Sequence, residues 1–202
     1  KDNLKRKLYT KFLKERVELL KKNKIKLKKY DAKKRNVKGI FLNFKPDVVI
    51  HLAAVSHDNR SNKDPKTTFD NSFVTLFNSL ESSKNLKKIH FIFLSSSMVY
   101  GHFKKKKVNE KDFCDPIGIY GALKLSGEIL IKSYSNVFGF DYTIVRPSAL
   151  YGERCISNRV LQIFLENAFN KRKIKIMGDG KEKLDFTYID DLCQGIYKII
   201  KL

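Results

Sequence analysis

The sequence predicts an α/β fold, a doubly wound parallel sheet covered by helices, and three observations lead there. Short apolar runs at 47–52, 89–94 and 142–145 have the length and content of buried strands. Longer segments with apolar residues at helical spacing alternate with them. The 202 residues are 42% hydrophobic, enough for a core and for one domain with the start of a second.

Taken in order, Leu4, Leu8 and Phe12, then Leu13, Val17 and Leu20, recur as an amphipathic helix over 5–22 would. Residues 25–30 alternate apolar and basic side chains, the pattern of a half-buried strand, and 33–44 reads as a weaker helix. Lys45-Pro46 introduces the strand Asp47 to Leu52, and a long helix follows at 66–85. The second buried strand runs Ile-His-Phe-Ile-Phe-Leu over 89–94. Pro116 and Gly118 precede a strong helix at 119–137, and Arg146-Pro147 stops the strand at 142–145. A helix at 157–170, a short strand at 173–177 and a last helix from Asp190 complete the reading. His51 and His90 lie inside strand patterns and read as core or edge residues, and Cys193 reads as packing.

The net charge is +21, and 18 Lys/Arg against 4 Asp/Glu in the first 45 residues carry about two-thirds of it. The excess is mostly lysine scattered over helices and loops, without a zinc knuckle, a recognition-helix motif or an aromatic RNA-binding pattern. It reads as solvated surface, and neither nucleic acid nor a metal is an expected partner. Lys104 to Lys107 is a basic loop of the same kind. No apolar run reaches the roughly 20 residues of a spanning helix, so no membrane partner is expected. Cys114, Cys155 and Cys193 form no CxxC pair and no even disulfide set. They read as reduced thiols, which points to the cytoplasm.

The chemistry centres on Tyr120-Gly121-Ala122-Leu123-Lys124 and the preceding run Leu94-Ser95-Ser96-Ser97-Met98-Val99-Tyr100-Gly101. Residues four apart on a helix share a face, so Tyr120 and Lys124 can enter one cleft. A phenol titrates near ~10, and a nearby ammonium lowers that by ~1–3 units, which favours phenolate at neutral pH. Such a tyrosine can accept a proton from a sugar hydroxyl while hydride leaves the same carbon. A serine at a neighbouring strand end can hydrogen-bond that hydroxyl. The ten glycines form no glycine-rich strand-to-helix turn of the kind that cradles a dinucleotide pyrophosphate.

Six blocks in order resemble the extended short-chain dehydrogenases, the NAD-dependent epimerase/dehydratase family. They are Asp47 to Ala54, Asp64-Pro65 followed by Asn71, Ser95 to Gly101, Tyr120 with Lys124, Arg146-Pro147 with Tyr151-Gly152, and Asp185 to Asp191. The resemblance implies a Rossmann-like sheet lacking its first strands, plus the beginning of a smaller substrate domain. It implies a partial NAD-binding domain at 1–147, and at 148–202 the start of a substrate-binding region with a returning Rossmann segment. The chain is then expected to be truncated at both ends relative to the family.

Carried over residue by residue, the resemblance makes Ser96 the catalytic serine, Tyr120 the acid/base, and Lys124 the residue that holds the nicotinamide ribose and tunes Tyr120. NAD is the implied cofactor. Asp2 with Asn3, and Asp31, resemble residues around the adenosine. Leu52, Ala53, Ala54 and Ser56 resemble the turn that passes the cofactor, Asn71 belongs to the second block, and Pro147 with Ser148 resembles the loop beside the nicotinamide.

Family dehydratases place an Asp-Glu pair directly after the serine or threonine, and decarboxylases a glutamate two residues on. Here those positions are Ser97 and Met98, which disfavours elimination. The stretch 56–61 nevertheless resembles dehydratases. The implied activity is a 4-epimerase acting on a nucleotide sugar, expected to be UDP-linked, with a dehydratase or reductase of the same family, an inactive fragment or a basic binding module as alternatives. Ala149 replaces an asparagine and Leu184 an arginine that many relatives use on the substrate. Arg154 and Arg159 are candidates to compensate, alongside Ser96 and Ser97 as substrate contacts. Relatives dimerise through two long helices, here 66–85 and 119–137, so a four-helix homodimer contact is expected.

Overall fold

The computed structural model describes residues 2–34, 37–55, 58–86, 88–103, 105–181 and 183–201, without the side chains of residues 2–4 and 58–59. Ser56 lies outside the described residues, as do the side chains of Asp2 and Asn3. The fold is mixed helix and parallel sheet, and it divides into two compact units.

The larger unit, residues 30–148 with 197–202, carries the three-stranded sheet. Its strands β1 (Val48–His51), β2 (His90–Leu94) and β3 (Asp141–Val145) lie in the order β1-β2-β3, all parallel. The register pairs Val48 with His90 and His90 with Asp141, so the carboxyl ends of all three strands reach one edge. The helices of this unit are α2 (Val37–Phe44), α3 (Asp58–Lys63), α4 (Pro65–Phe69), α5 (Thr75–Ser83) and α6 (Ile119–Phe138).

The core follows from the two-residue period of β2. Ile89, Phe91 and Phe93 share one side of the chain and are packed with Leu76 and Leu80 of α5, Ile131 of α6 and Phe140. Burying a side chain of this size stabilises the fold by roughly 1.5–3 kcal/mol, so this cluster anchors α5 and α6 to the sheet. Gly127 makes the close approach of α6 possible. A β-carbon there would lie 2.8 Å from a Leu76 methyl and 3.0 Å from the Phe93 ring.

The helix expected at 66–85 is present but differs in detail. Asp64 caps it by accepting from the Thr67 amide at 3.0 Å, and Pro65 occupies the first turn, where its missing N–H costs nothing. Between α4 and α5 the chain forms a π turn at Asp70–Val74, one residue wider than an α turn. Ser72 in that turn accepts from the Val55 amide at 3.0 Å, which ties the helix to the segment after β1. A separate short helix, α3, precedes it.

The smaller unit, residues 1–29 with 149–196, joins α1 (Asp2–Lys22) to the parallel pair β4 (Ala149–Tyr151) and β5 (Phe186–Tyr188), with α7 (Val160–Phe169) and most of α8 (Ile189–Ile200). A polar cluster holds α1 to α7. Tyr9 donates to Glu166 at 2.8 Å, Gln162 donates to Tyr9 at 2.5 Å, and Lys5 pairs with Glu166 at 2.9 Å.

Two expected strands are not formed. Residues 25–30 and 173–177 have no strand neighbour among the described residues, and Ile25, Leu27, Ile174, Ile176 and Met177 are exposed. Alternating apolar residues form a strand only where another edge takes up their backbone hydrogen bonds, and both segments lie open to water instead. The helices expected at 33–44 and 157–170 begin later, at Val37 and Val160. Cys193 is exposed on α8 rather than packed. No helix of the described residues is long and apolar enough to cross a membrane.

Candidate active site

The candidate site lies at the carboxyl ends of the parallel strands, where the first turns of α6 meet the end of β2. Tyr120 and Lys124 stand in its first turns, and the Lys124 ammonium lies 5.8 Å from the centre of the Tyr120 ring and 4.8 Å from that of Phe93. Lys124 is only 5% exposed. Its Nζ donates to the Leu94 carbonyl, the last of β2, at 2.5 Å. Burial lowers its pKa from 10.5 to about 8, although the Glu128 charge works the other way. Lys124 is therefore a cation held where it is costly to hold one, against a phenol.

The serine run meets α6 from the other side. Ser96 is buried in extended conformation and caps a 3-10 turn at Ser97–Tyr100, accepting from the Met98 amide at 3.2 Å. Gly121, next to Tyr120, allows the contact. A β-carbon there would sit 2.6 Å from the Met98 carbonyl oxygen and 3.0 Å from Pro116, so any larger residue would push the tyrosine turn off the serine turn. The Ser97 amide donates to the Pro147 carbonyl at 3.0 Å, and the Ser95 amide to Val145 at 2.8 Å. Ser96, Ser97, Tyr120, Lys124, Pro147 and Ser148 thus belong to one linked set of turns.

The segment after β1 ends on the same sheet edge, with Leu52 and Ala53 exposed and Ala54 half-buried. The Asn71 amide lies in the π turn and donates to Thr67 of its own helix at 2.7 Å. Asp31 closes a turn by accepting from the Lys33 amide at 3.1 Å. Asn78 of α5 pins that turn by donating to the Ala32 and Lys33 carbonyls. Asp2 and Asn3 open α1, in the smaller unit. Arg154 and Arg159 also belong to that unit. There they line a cavity of about 370 Å³ with Leu8, Phe12, Tyr151 and Tyr188.

One feature of the site was not singled out from the sequence. Glu128, one turn after Lys124, is 1% exposed and accepts from Ser95 at 2.5 Å and from Arg146 Nε and Nη2 at 2.9 and 2.6 Å. Arg146 in turn donates to the Tyr100 hydroxyl at 2.9 Å. The signal available was an acid in register with Lys124 and three residues from the buried Ile131. His51, expected as a core or edge residue, is buried against Phe91 and Phe93, and its Nε2 has no hydrogen-bond partner among the described residues.

Burial, and secondarily the Lys124 charge, lower the His51 pKa from 6.5 to about 4. The unfolded chain then binds a proton that the folded one refuses. His51 stabilises the fold fully above pH 6.5, and that contribution, ~3 kcal/mol, is lost as pH falls through 4. Urea unfolding at pH 7, 5.5 and 4.5 should show this loss, and His51→Phe should be distinctly less acid-sensitive over the same interval.

Three parallel strands in sequence order, with the Tyr–Lys turns of α6 at their carboxyl ends, define a Rossmann-like protein of the extended short-chain dehydrogenase type. The model of the NAD dependent epimerase/dehydratase family matches residues 5–202, and the chain belongs to that family. It is 35% identical over 155 residues to a probable UDP-glucuronate 4-epimerase of Rhizobium meliloti (strain 1021), covering 76% of this chain and 46% of the relative. It is 30% identical over 176 residues to a dTDP-D-glucose 4,6-dehydratase of Dictyostelium discoideum, covering 82% and 41%. Its structure is similar to that of UDP-glucuronic acid 4-epimerase from Bacillus cereus in complex with UDP-glucuronic acid and NAD, with TM-score 0.79 and 31% identity over 86% of this chain and 55% of that one. The chain spans about half the length of the curated relatives it matches.

Proposed function

We propose that the protein carrying this chain is an NAD-dependent 4-epimerase of a UDP-linked sugar. The observation that carries the reading is the buried Lys124 ammonium facing the Tyr120 ring beside the Ser96 turn. In open α/β sheets ligands bind outside the carboxyl ends of the strands. Here the segments that follow the strands carry mostly small side chains, Ala53, Ala54, Ser95 to Ser97 and Ser148 with Pro147, a composition that suits close approach of a dinucleotide.

On this reading Leu52, Ala53, Ala54, Ser56, Asn71, Pro147 and Ser148 border the cofactor, and Lys124 holds its ribose. Asp2, Asn3 and Asp31 attend the adenosine. The chemistry that NAD supplies when bound is a reversible hydride acceptor at C4 of the sugar. Tyr120 accepts the C4 hydroxyl proton as the carbonyl forms and returns it after the sugar has turned. Ser96 hydrogen-bonds the same oxygen, and Lys124 favours the phenolate. Arg154 and Arg159 substitute for the absent arginine at Leu184 in gripping the nucleotide diphosphate.

The outer faces of α5 and α6 leave Phe77, Ile129, Val137 and Phe138 exposed, which suits the expected homodimer contact. Ser97 and Met98 supply no carboxylate for elimination, which favours epimerisation over the dehydratase chemistry named for one relative.

The test is incubation of the full-length protein with NAD and UDP-glucuronate, UDP-glucose or dTDP-glucose, with products identified by NMR. A C4 epimer without net NADH supports the proposal, and a 4-keto-6-deoxy product or steady NADH release overturns it. Tyr120→Phe should lower kcat by ~10²–10⁴-fold.

A further inference from the structure

Glu128 joins three of the segments that carry the proposed chemistry: the serine run, the end of β3 and α6. Its carboxylate receives Ser95, which precedes Ser96 at the end of β2. It receives Arg146 twice, and Arg146 precedes Pro147 and Ser148 at the end of β3. Through Arg146 it also reaches Tyr100, at the end of the serine turn. Its own backbone is α6, one turn behind Lys124 and two behind Tyr120. At 1.5 Å per residue those separations are ~6 Å and ~12 Å along the axis, so Glu128 bears on Lys124 more than on Tyr120.

We propose that Glu128 is a positioning residue for the reaction: it fixes the ends of β2 and β3 against α6 and serves as the counter-charge that keeps Lys124 an ammonium beside Tyr120. The inference rests on the epimerase reading of Tyr120 and Lys124.

Charge bookkeeping around Lys124 supports it. The groups facing it are Tyr120 and Glu128 from its own helix, His51 from β1, and Arg146 behind Glu128. His51 is uncharged at neutral pH, since its pKa is about 4, and Glu128 is the acid that acts on Lys124. Burial already brings the ammonium down to about 8, close to working pH, so losing the neighbouring carboxylate tips Lys124 toward the neutral amine. A neutral amine no longer draws the Tyr120 proton off. The Arg146 guanidinium, left without its partner, acts in the same direction.

The test follows Lys124 itself, in full-length protein labelled with ¹³C at lysine Cε, the Lys124 signal being the one absent from Lys124→Arg. In Glu128→Gln the midpoint should fall below its parental value by about one unit or more, while other resolved lysines stay put. Glu128→Asp, which keeps the charge, should stay near the parent. Glu128→Gln/Arg146→Gln removes the stranded guanidinium as well, and serves if the single variant does not fold; its Lys124 midpoint should also fall. A folded Glu128→Gln, or the folded double variant, whose Lys124 titrates as in the parent overturns the proposal and leaves Glu128 a stabilising residue only.

Turnover separates this from the underlying reading. With UDP-sugar and NAD, Glu128→Gln should lose about tenfold or more in kcat with KM little changed, since it touches neither ligand. If Tyr120→Phe turns over like the parent, the epimerase reading fails and takes this proposal with it. If Tyr120→Phe is inactive while Glu128→Gln keeps both parental kcat and the parental Lys124 midpoint, the reading stands and the positioning role falls.

Discussion

Lys124→Met is expected to make the protein more stable and at the same time abolish turnover. The folded state holds this lysine 5% exposed and depresses its pKa from 10.5 to about 8, so at pH 7 folding carries the cost of a buried, protonated amine. Methionine fills nearly the same volume without the charge. It also forfeits the hydrogen bond to Leu94, so the net gain is about 1–3 kcal/mol. The pH dependence identifies the cause. The unfolded chain binds the proton more tightly, so parental stability rises between pH 8 and 10.5, and the advantage of methionine, full below pH 8, fades over that interval. Urea midpoints of parent and variant at pH 7, 9 and 10.5 measure it. Turnover should fall by ~10²-fold or more at every pH, because the phenol loses its cation.

Arg146→Met should be strongly destabilising. It strands the Glu128 carboxylate, 1% exposed, with Ser95 as its remaining donor. Breaking one side of a buried ion pair costs ~3–5 kcal/mol, whereas replacing both partners with apolar residues of similar size is often neutral. Arg146→Met alone should therefore lower the melting temperature by on the order of 10 °C. The double variant Glu128→Leu/Arg146→Met should recover much of that loss. A double variant that loses the sum of both single effects would show no coupling between the two side chains and contradict this account of the pair. Calorimetry of the four proteins settles which holds.

The part of the site legible in the sequence was the part written in local spacing. Tyr120 and Lys124 are four apart on a helix whose face a reader can draw, and the serine run follows directly on a strand of five apolar or aromatic residues. Glu128 sits on that same face, but its meaning comes from Ser95 and Arg146, 33 and 18 residues away, which only the packed sheet brings together. The false strands at 25–30 and 173–177 show the converse limit. Alternation reports a preference for a half-buried surface, not whether a neighbouring edge exists. β4 and β5 were missed because three residues are too few to show a period. The π turn at Asp70–Val74 adds one residue to a helix, a change the apolar spacing on either side absorbs without trace.

The central claim is that Tyr120, Lys124 and Ser96 serve a hydride that leaves C4 of a nucleotide sugar and returns to it. Its most direct measurement follows a deuterium at C4 of the UDP-sugar through turnover by the full-length protein with NAD. The account predicts a C4 epimer that still carries the deuterium at C4. Deuterium washed out into solvent, or moved to C6 with loss of water, would contradict it.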